Sequence, residues 1–231
     1  RAIKAGDTAS LERLLRGDPQ LVARRPDDSH SVLHHATDWP GHWPHVAETI
    51  RLFIAVGADP NWRYTGSEHT ETPLHWAASS NDVVALDALL DGGAQIDATG
   101  AVIDGGTPLV DAVVFQNYDA AARLIERGAA YGLHHCAALG RQDLVAEFFD
   151  ARGSLRRDMG HMPHYAEIPP TQTLLDRAFQ FACRAGHLEV AKVLLKRGGD
   201  PRAMTPVEST ALDEARKNAH TAVVSWLETL A

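Results

Sequence analysis

The segment Thr72-Pro-Leu-His-Trp-Ala-Ala78 leads to the apolar run Val83-Val-Ala-Leu-Asp-Ala-Leu-Leu90 and closes on Gly92-Gly-Ala-Gln-Ile-Asp97. Then the chain starts the same statement again. Thr107-Pro-Leu-Val-Asp-Ala112 leads to Ala120-Ala-Ala-Arg-Leu-Ile125 and closes on Gly128-Ala129. Upstream, Ser31-Val-Leu-His-His-Ala36 closes on Gly57-Ala-Asp-Pro-Asn61. Downstream come Leu133-His-His-Cys-Ala137, then Cys183-Arg-Ala-Gly-His187 with its Leu-Leu run, then Thr210-Ala-Leu-Asp-Glu-Ala215. A half copy opens the chain, with Ala5-Gly-Asp7 before Leu11-Glu-Arg-Leu-Leu15. A chain that repeats a short helical unit cannot bury each unit's apolar face alone, so neighbours must stack.

Local chemistry agrees with a pair of helices per unit. Thr is a good N-cap, and Pro fits the first helical turn, where its missing N–H costs nothing. Gly92, Gly128 and Gly198 stand where each second helix should end on a left-handed residue. Leu89 and Leu194 fall on the core side of second helices.

Thr-Pro-Leu-His-x-Ala, a Leu-Leu helix and Gly-Ala-Asp-x-Asn together resemble the ankyrin repeat, and Leu, Ala and Arg usage suggests a bacterial-type member. The resemblance covers nearly the whole chain. It implies an all-α ankyrin-repeat solenoid of about six to seven stacked helix-turn-helix repeats with short finger loops. These form a single domain over residues 1–231, with repeats at 1–30, 31–71, 72–106, 107–130, 131–170, 171–209 and 210–231. The start inside a first helix implies that at least half a repeat precedes Arg1. The resemblance also gives the recurring histidines a structural task. His34, His75 and His134 would tie backbone loops, and His187 and His220 would serve the turn between helices.

Spacing departs from the ordinary period of about 33 residues. Ser31 to Thr72 is 41 residues, Thr72 to Thr107 is 35, Thr107 to Tyr131 is 24, and Tyr131 to Arg177 is 46. One finger is therefore missing after Thr107. The stretch Asp38-Trp-Pro-Gly-His-Trp-Pro-His45 separates the two helices of the second repeat, and Gly153 to Thr171 is an irregular excursion.

Charge is concentrated. From Tyr64 to Ala122 there is no Lys or Arg, while nine acids occur there, in a chain of net charge −8. Asp82, Asp87 and Asp91 read as a solvated helix face. Glu68, Glu71, Asp97 and Asp104 lie in loops that would attract a basic partner. The overall charge excludes a broad nucleic-acid surface, and no apolar run reaches the ~20 residues that a membrane helix needs. Two cysteines exclude a disulfide scaffold.

In the implied fold, first helices and fingers line a concave groove. The residues after each Ala pair point into it: Asp38 and Trp39, Ser79 and Ser80, Val114 and Phe115, Ala138 and Leu139, Arg184 and Ala185. Of these, Asp38, Trp39, Ser79, Ser80, Val114 and Phe115, with Trp62, Tyr64 and Asp104 from the fingers, make the expected binding site, in repeats 2–4. Trp39 beside Asp38 could hold a cation, or Trp39 could pack as core.

The leading expectation is a cytoplasmic, monomeric scaffold without cofactor that binds a protein, with a basic partner suited to the acidic fingers. The alternative is a small-molecule or acid–base site assembled from His35, Asp38, His42, His69, Glu71, Asp104 and Asp111. No nucleophile motif supports catalysis, and a third reading is a structural or oligomerising array. His42/His45 and His161/His164 have a metal-like spacing, but the proline inside each pair argues against the helix such a site needs, so no metal is expected.

Overall fold

The computed structural model describes residues 1–24, 29–66, 68–156, 162–205 and 208–230. Among them the regular structure is helical, with one isolated antiparallel bridge between Phe149 and Leu155. Helices α1 (Ala2–Ala5) and α2 (Thr8–Gly17) and a 3-10 turn (Pro19–Ala23) come first. Pairs follow: α3 (Val32–Thr37) with α4 (Val46–Ala55), α5 (Pro73–Ser79) with α6 (Val83–Asp91), and α7 (Pro108–Val114) with α8 (Tyr118–Glu126). Next are α9 (Leu133–Ala138) with α10 (Gln142–Glu147), α11 (Thr171–Arg184) with α12 (Leu188–Lys196), and α13 (Ala211–Lys217) with α14 (Thr221–Glu228).

The chain divides into two compact units, Arg1–Ala129 and Ala130–Ala231, where the repeat pattern predicts one domain. The division falls beside the missing finger, for only residues 127–132 separate α8 from α9. In the first unit, α3, α5 and α7 stack as one row and α4, α6 and α8 as the other. Leu33, Ile50, Phe53, Leu74, Leu86, Leu89, Leu109 and Leu124 fill the space between the rows. In the second unit, α9, α11 and α13 stack similarly. Phe148, Phe179 and Leu194 are the largest buried apolar side chains of its core. Cys136 and Cys183 are buried in it, and burial pushes both thiols up to about 12, so they behave as small apolar residues.

The histidine of the repeat acts twice. His34 Nδ1 accepts from Ser31 N (3.2 Å) and its Nε2 donates to Glu71 O (3.2 Å). His75 Nδ1 accepts from Thr72 N (3.0 Å) and its Nε2 donates to Gly106 O (3.3 Å). Each ring therefore closes a helix start and pins a finger. Burial holds both rings down to about 4, so they are neutral.

Three local expectations change. In the fifth repeat the capping residue is Gly132, and His135, not His134, accepts from it (3.0 Å), which moves the register by one. Gly93 (φ 92°), not Gly92 (φ −84°), takes the left-handed position after α6, whereas Gly128 and Gly198 take it as predicted. Thr107 makes no side-chain cap bond, because Val110 stands where its neighbours have histidine.

The later turns follow a second rule. Asn117 Nδ2 donates to Ala78 O and Ser79 O, His187 Nε2 to Ala138 O, and His220 Nε2 to Arg184 O. Each ties the start of a second helix to the first helix of the pair before it.

Candidate binding groove

The loop after α3 is built into place. His42 N donates to Asp82 Oδ2 (2.6 Å), and His42 Nε2 donates to Ser80 O (3.1 Å). Asp82 also caps α6 by accepting from Ala85 N (3.0 Å), so it is a buried structural carboxylate and not the solvated residue the helix pattern predicts. The anchored loop leaves Trp39 pointing outward at 78% exposure, which excludes a core role for it. Asp38 pairs with Lys4 (2.8 Å), whose ammonium sits 5.0 Å from the centre of the Trp43 ring. The cation expected over Trp39 is therefore an internal lysine, and it uses a different tryptophan.

Glu71 closes the other side. Its Oε2 accepts from Trp76 Nε1 (2.9 Å) and its Oε1 from Val102 N (2.9 Å), and His69 Nδ1 lies 3.4 Å from Oε2. One carboxylate thus joins α5 to the finger before α7. Asp38, Trp39, Glu71, Trp76, Ser79, Ser80, Val102 and Phe115 line a groove of about 320 Å³ that opens to solvent. Val102 is 61% exposed and Phe115 52%.

The sequence-predicted residues divide around this groove. Asp38, Trp39, Ser79, Ser80 and Phe115 come together in it. Trp62 instead donates from Nε1 to Ser29 O (3.0 Å). Tyr64 stacks on His30, with ring centres 4.5 Å apart, in an aromatic cluster that includes His69 and Trp76. Asp104 lines a separate open depression with Glu68, His69 and Thr70. Val114 is half-buried and is not among the lining residues.

Trp76 and Val102 are the lining residues that sequence reasoning missed. Trp76 stands one place after the repeat's histidine, a position that in the next repeat holds Asp111, and that equivalence was the available signal.

The acid–base set does not assemble. His42 is committed to the backbone, His35 lies against His30 (5.7 Å between ring centres), and Asp104 belongs to the other depression. Only Asp38 and Glu71 of that set line the groove, with His69 beside Glu71. Asp111 is wholly buried in α7, and neither of its oxygens has a hydrogen-bond partner among the described residues. Burial, reinforced by the charge of Glu71, raises its carboxyl to about 8. Of the paired histidines, His45 faces Glu48 (3.6 Å), and His161 lies outside the described residues. No group of three His, Cys, Asp or Glu side chains suited to a metal occurs among the described residues.

On the opposite face, Asp87 and Asp91 meet Arg127 at 2.6 and 2.7 Å, and Arg123 lies 3.2 Å from Asp87. These two acids are neutralised by the next helix rather than simply solvated.

Two family models match the chain: three copies of the ankyrin repeat over residues 45–133, and a single ankyrin repeat over 177–206. Together they span about half of the sequence. The chain belongs to the ankyrin-repeat family, whose arrays serve in general as protein–protein interaction scaffolds. No curated protein matches it in sequence. Among solved structures it is similar to the human ASB11 ankyrin repeat domain, at 19% identity and a TM-score of 0.58, over 98% of this chain and 95% of that one. At that identity the likeness carries the fold and nothing about a partner. No helix among the described residues is long and apolar enough to cross a membrane.

Proposed function

We propose that this chain is a protein-recognition scaffold that holds a segment of its partner in the groove between the loop after α3, the end of α5 and the finger before α7. One observation carries the reading. Three large apolar side chains, Trp39, Val102 and Phe115, are exposed around a single groove whose other walls include two carboxylates. Isolated exposed apolar residues are ordinary, but a cluster rimmed by polar groups marks an interaction site. Aromatic residues dominate such contacts because each buries a large area at little entropic cost. The flanking acids favour a partner segment that is apolar and basic. As part of the same proposal, the scaffold works as a cytoplasmic monomer.

The test is affinity capture with the wild-type chain and with the Trp39→Ala/Phe115→Ala variant. Both side chains are exposed, so melting temperature should move little. A partner held by the wild type and lost by the variant, with retention weakened at high salt, is the expected result. A partner retained equally by both would place recognition elsewhere.

A further inference from the structure

Two carboxylates line the groove, and only one of them is substantially exposed. Glu71 is 7% exposed, and its two oxygens already accept from the Trp76 indole and the Val102 backbone. The Asp38 side chain is 38% exposed, and its Oδ2 accepts from Lys4 Nζ at 2.8 Å. Asp38 also precedes Trp39, so the reachable acid and an exposed indole are adjacent in the chain.

An acid is an unusual choice for this place. Asp38 is the C-cap of α3. A helix ends in carbonyls without intrahelical partners, which favour a cation and disfavour a second negative group. The loop that presents Asp38 is fixed. Gly41 N donates to Asp38 O (2.8 Å), and His42 is bonded to Asp82 and to Ser80 O. The carboxylate therefore stands on a held loop at the groove wall, where a positive charge is favoured twice over.

In the chain itself Lys4 supplies that charge. Its ammonium rests on Asp38 and lies 5.0 Å from the centre of the Trp43 ring. The hold is weak. Lys4 is exposed, and α1, its own helix, has no buried residue. Exposed ion pairs contribute little to stability, because water competes for both partners. Lys4 is thus an exchangeable occupant, and it displays the chemistry that Asp38 accepts. Among the described residues no Lys or Arg lines the groove, so an incoming cation meets Lys4 as its competitor for Asp38.

Resting on the groove reading above, we propose that Asp38 receives a lysine or arginine of the partner, next to an apolar residue seated against Trp39 and Phe115, and that Lys4 is the chain's own competitor for that carboxylate. The partner's cation displaces Lys4, one ion pair being exchanged for another. A neutral segment leaves Lys4 in place and gains only the apolar contacts. Arginine is the stronger challenger, since it can meet a carboxylate through two parallel N–H bonds and lysine cannot. Lys4 therefore acts as a built-in filter that a basic segment passes and a neutral one does not.

The probe is a capped tripeptide, acetyl-Phe-Arg-Phe amide, titrated against the intact chain by NMR at the Trp39 indole N–H. Acetyl-Phe-citrulline-Phe amide is its neutral isostere. The wild type should bind the arginine peptide more tightly. Lys4→Gln should tighten the arginine peptide by about threefold, the order that an exposed ion pair is worth, and leave the citrulline peptide unchanged. Lys4→Arg keeps the competitor and should show no gain. Asp38→Asn should abolish the preference for arginine, with Lys4 present or replaced. Both residues are at the surface, and unchanged melting temperatures check that the variants fold. No gain in Lys4→Gln, an equal gain in Lys4→Arg, or a preference for arginine that survives in Asp38→Asn would each overturn the inference. The groove reading is judged separately, because it fails only if the Trp39→Ala/Phe115→Ala variant keeps the partner.

Discussion

At the scale of the residue, Asp111 is the position where sequence pattern and energetics disagree most. Its neighbours in the repeat framework are legible as capping residues, core leucines and loop-tying histidines. An aspartate on an otherwise apolar helix is legible only as an anomaly, because burial depends on which neighbour covers it. The direction of its pH effect follows from the raised carboxyl. The folded chain keeps the proton up to about pH 8, whereas an unfolded aspartate loses it near 3.8. Between those values the unfolded state binds fewer protons, so stability falls as pH rises, by up to about 1.4 kcal/mol per pH unit for one group, and levels off above pH 8. Asp111→Asn should therefore raise the urea midpoint at pH 8 and change it little at pH 4. A midpoint at pH 8 equal to the wild type's would mean that the buried acid carries no such linkage.

At the scale of the element, most of the helix pairs are written plainly in the sequence, and the reasons differ by feature. Periodic leucines and the Thr-Pro start locate α5 to α8, because capping and burial both act within a few residues. Leu89 and Leu194 are fully buried on second helices. Leu89→Ala and Leu194→Ala should each lower unfolding free energy by about 2–5 kcal/mol in chemical denaturation. A near-zero change at either site would contradict the packing of that helix.

The fifth repeat is less legible. Two adjacent histidines, His134 and His135, both fit the motif, and only the cap at Gly132 separates them. The groove was half legible. Asp38, Trp39, Ser79, Ser80 and Phe115 do line it and Val114 does not, while Trp76 and Val102 enter through contacts with Glu71, which no local pattern announces.

At the scale of the whole chain, the two units differ in the titrating groups they bury. The first holds neutral His34 and His75 as well as Asp111. Each buried histidine must take up a proton on acid unfolding, so its contribution is lost as pH falls from 6.5 towards 4. With the aspartate acting in the opposite direction, the first unit should be most stable near pH 6.5. Four of the five tryptophans, Trp39, Trp43, Trp62 and Trp76, lie in that unit. Urea midpoints followed by tryptophan fluorescence should therefore peak there and decline on both sides. A profile that rises steadily through pH 8 would contradict this balance.

The finger-pinning bonds have a consequence for how such a chain can be lengthened or shortened. His34 and its acceptor Glu71 both lie within 31–71, His75 and Gly106 within 72–106, and Gln180 and Ala203 within 171–209. A cassette excised at the residue before each cap carries donor and acceptor together. A cut placed just after the second helix divides them between the pieces. His135 lacks such a fastening. α11 runs as continuous helix through the place where a finger would end, and the ring's Nε2 has no hydrogen-bond partner among the described residues. Grafting experiments on this array should therefore respect the frame that begins at the cap, since it transfers a fastening already closed.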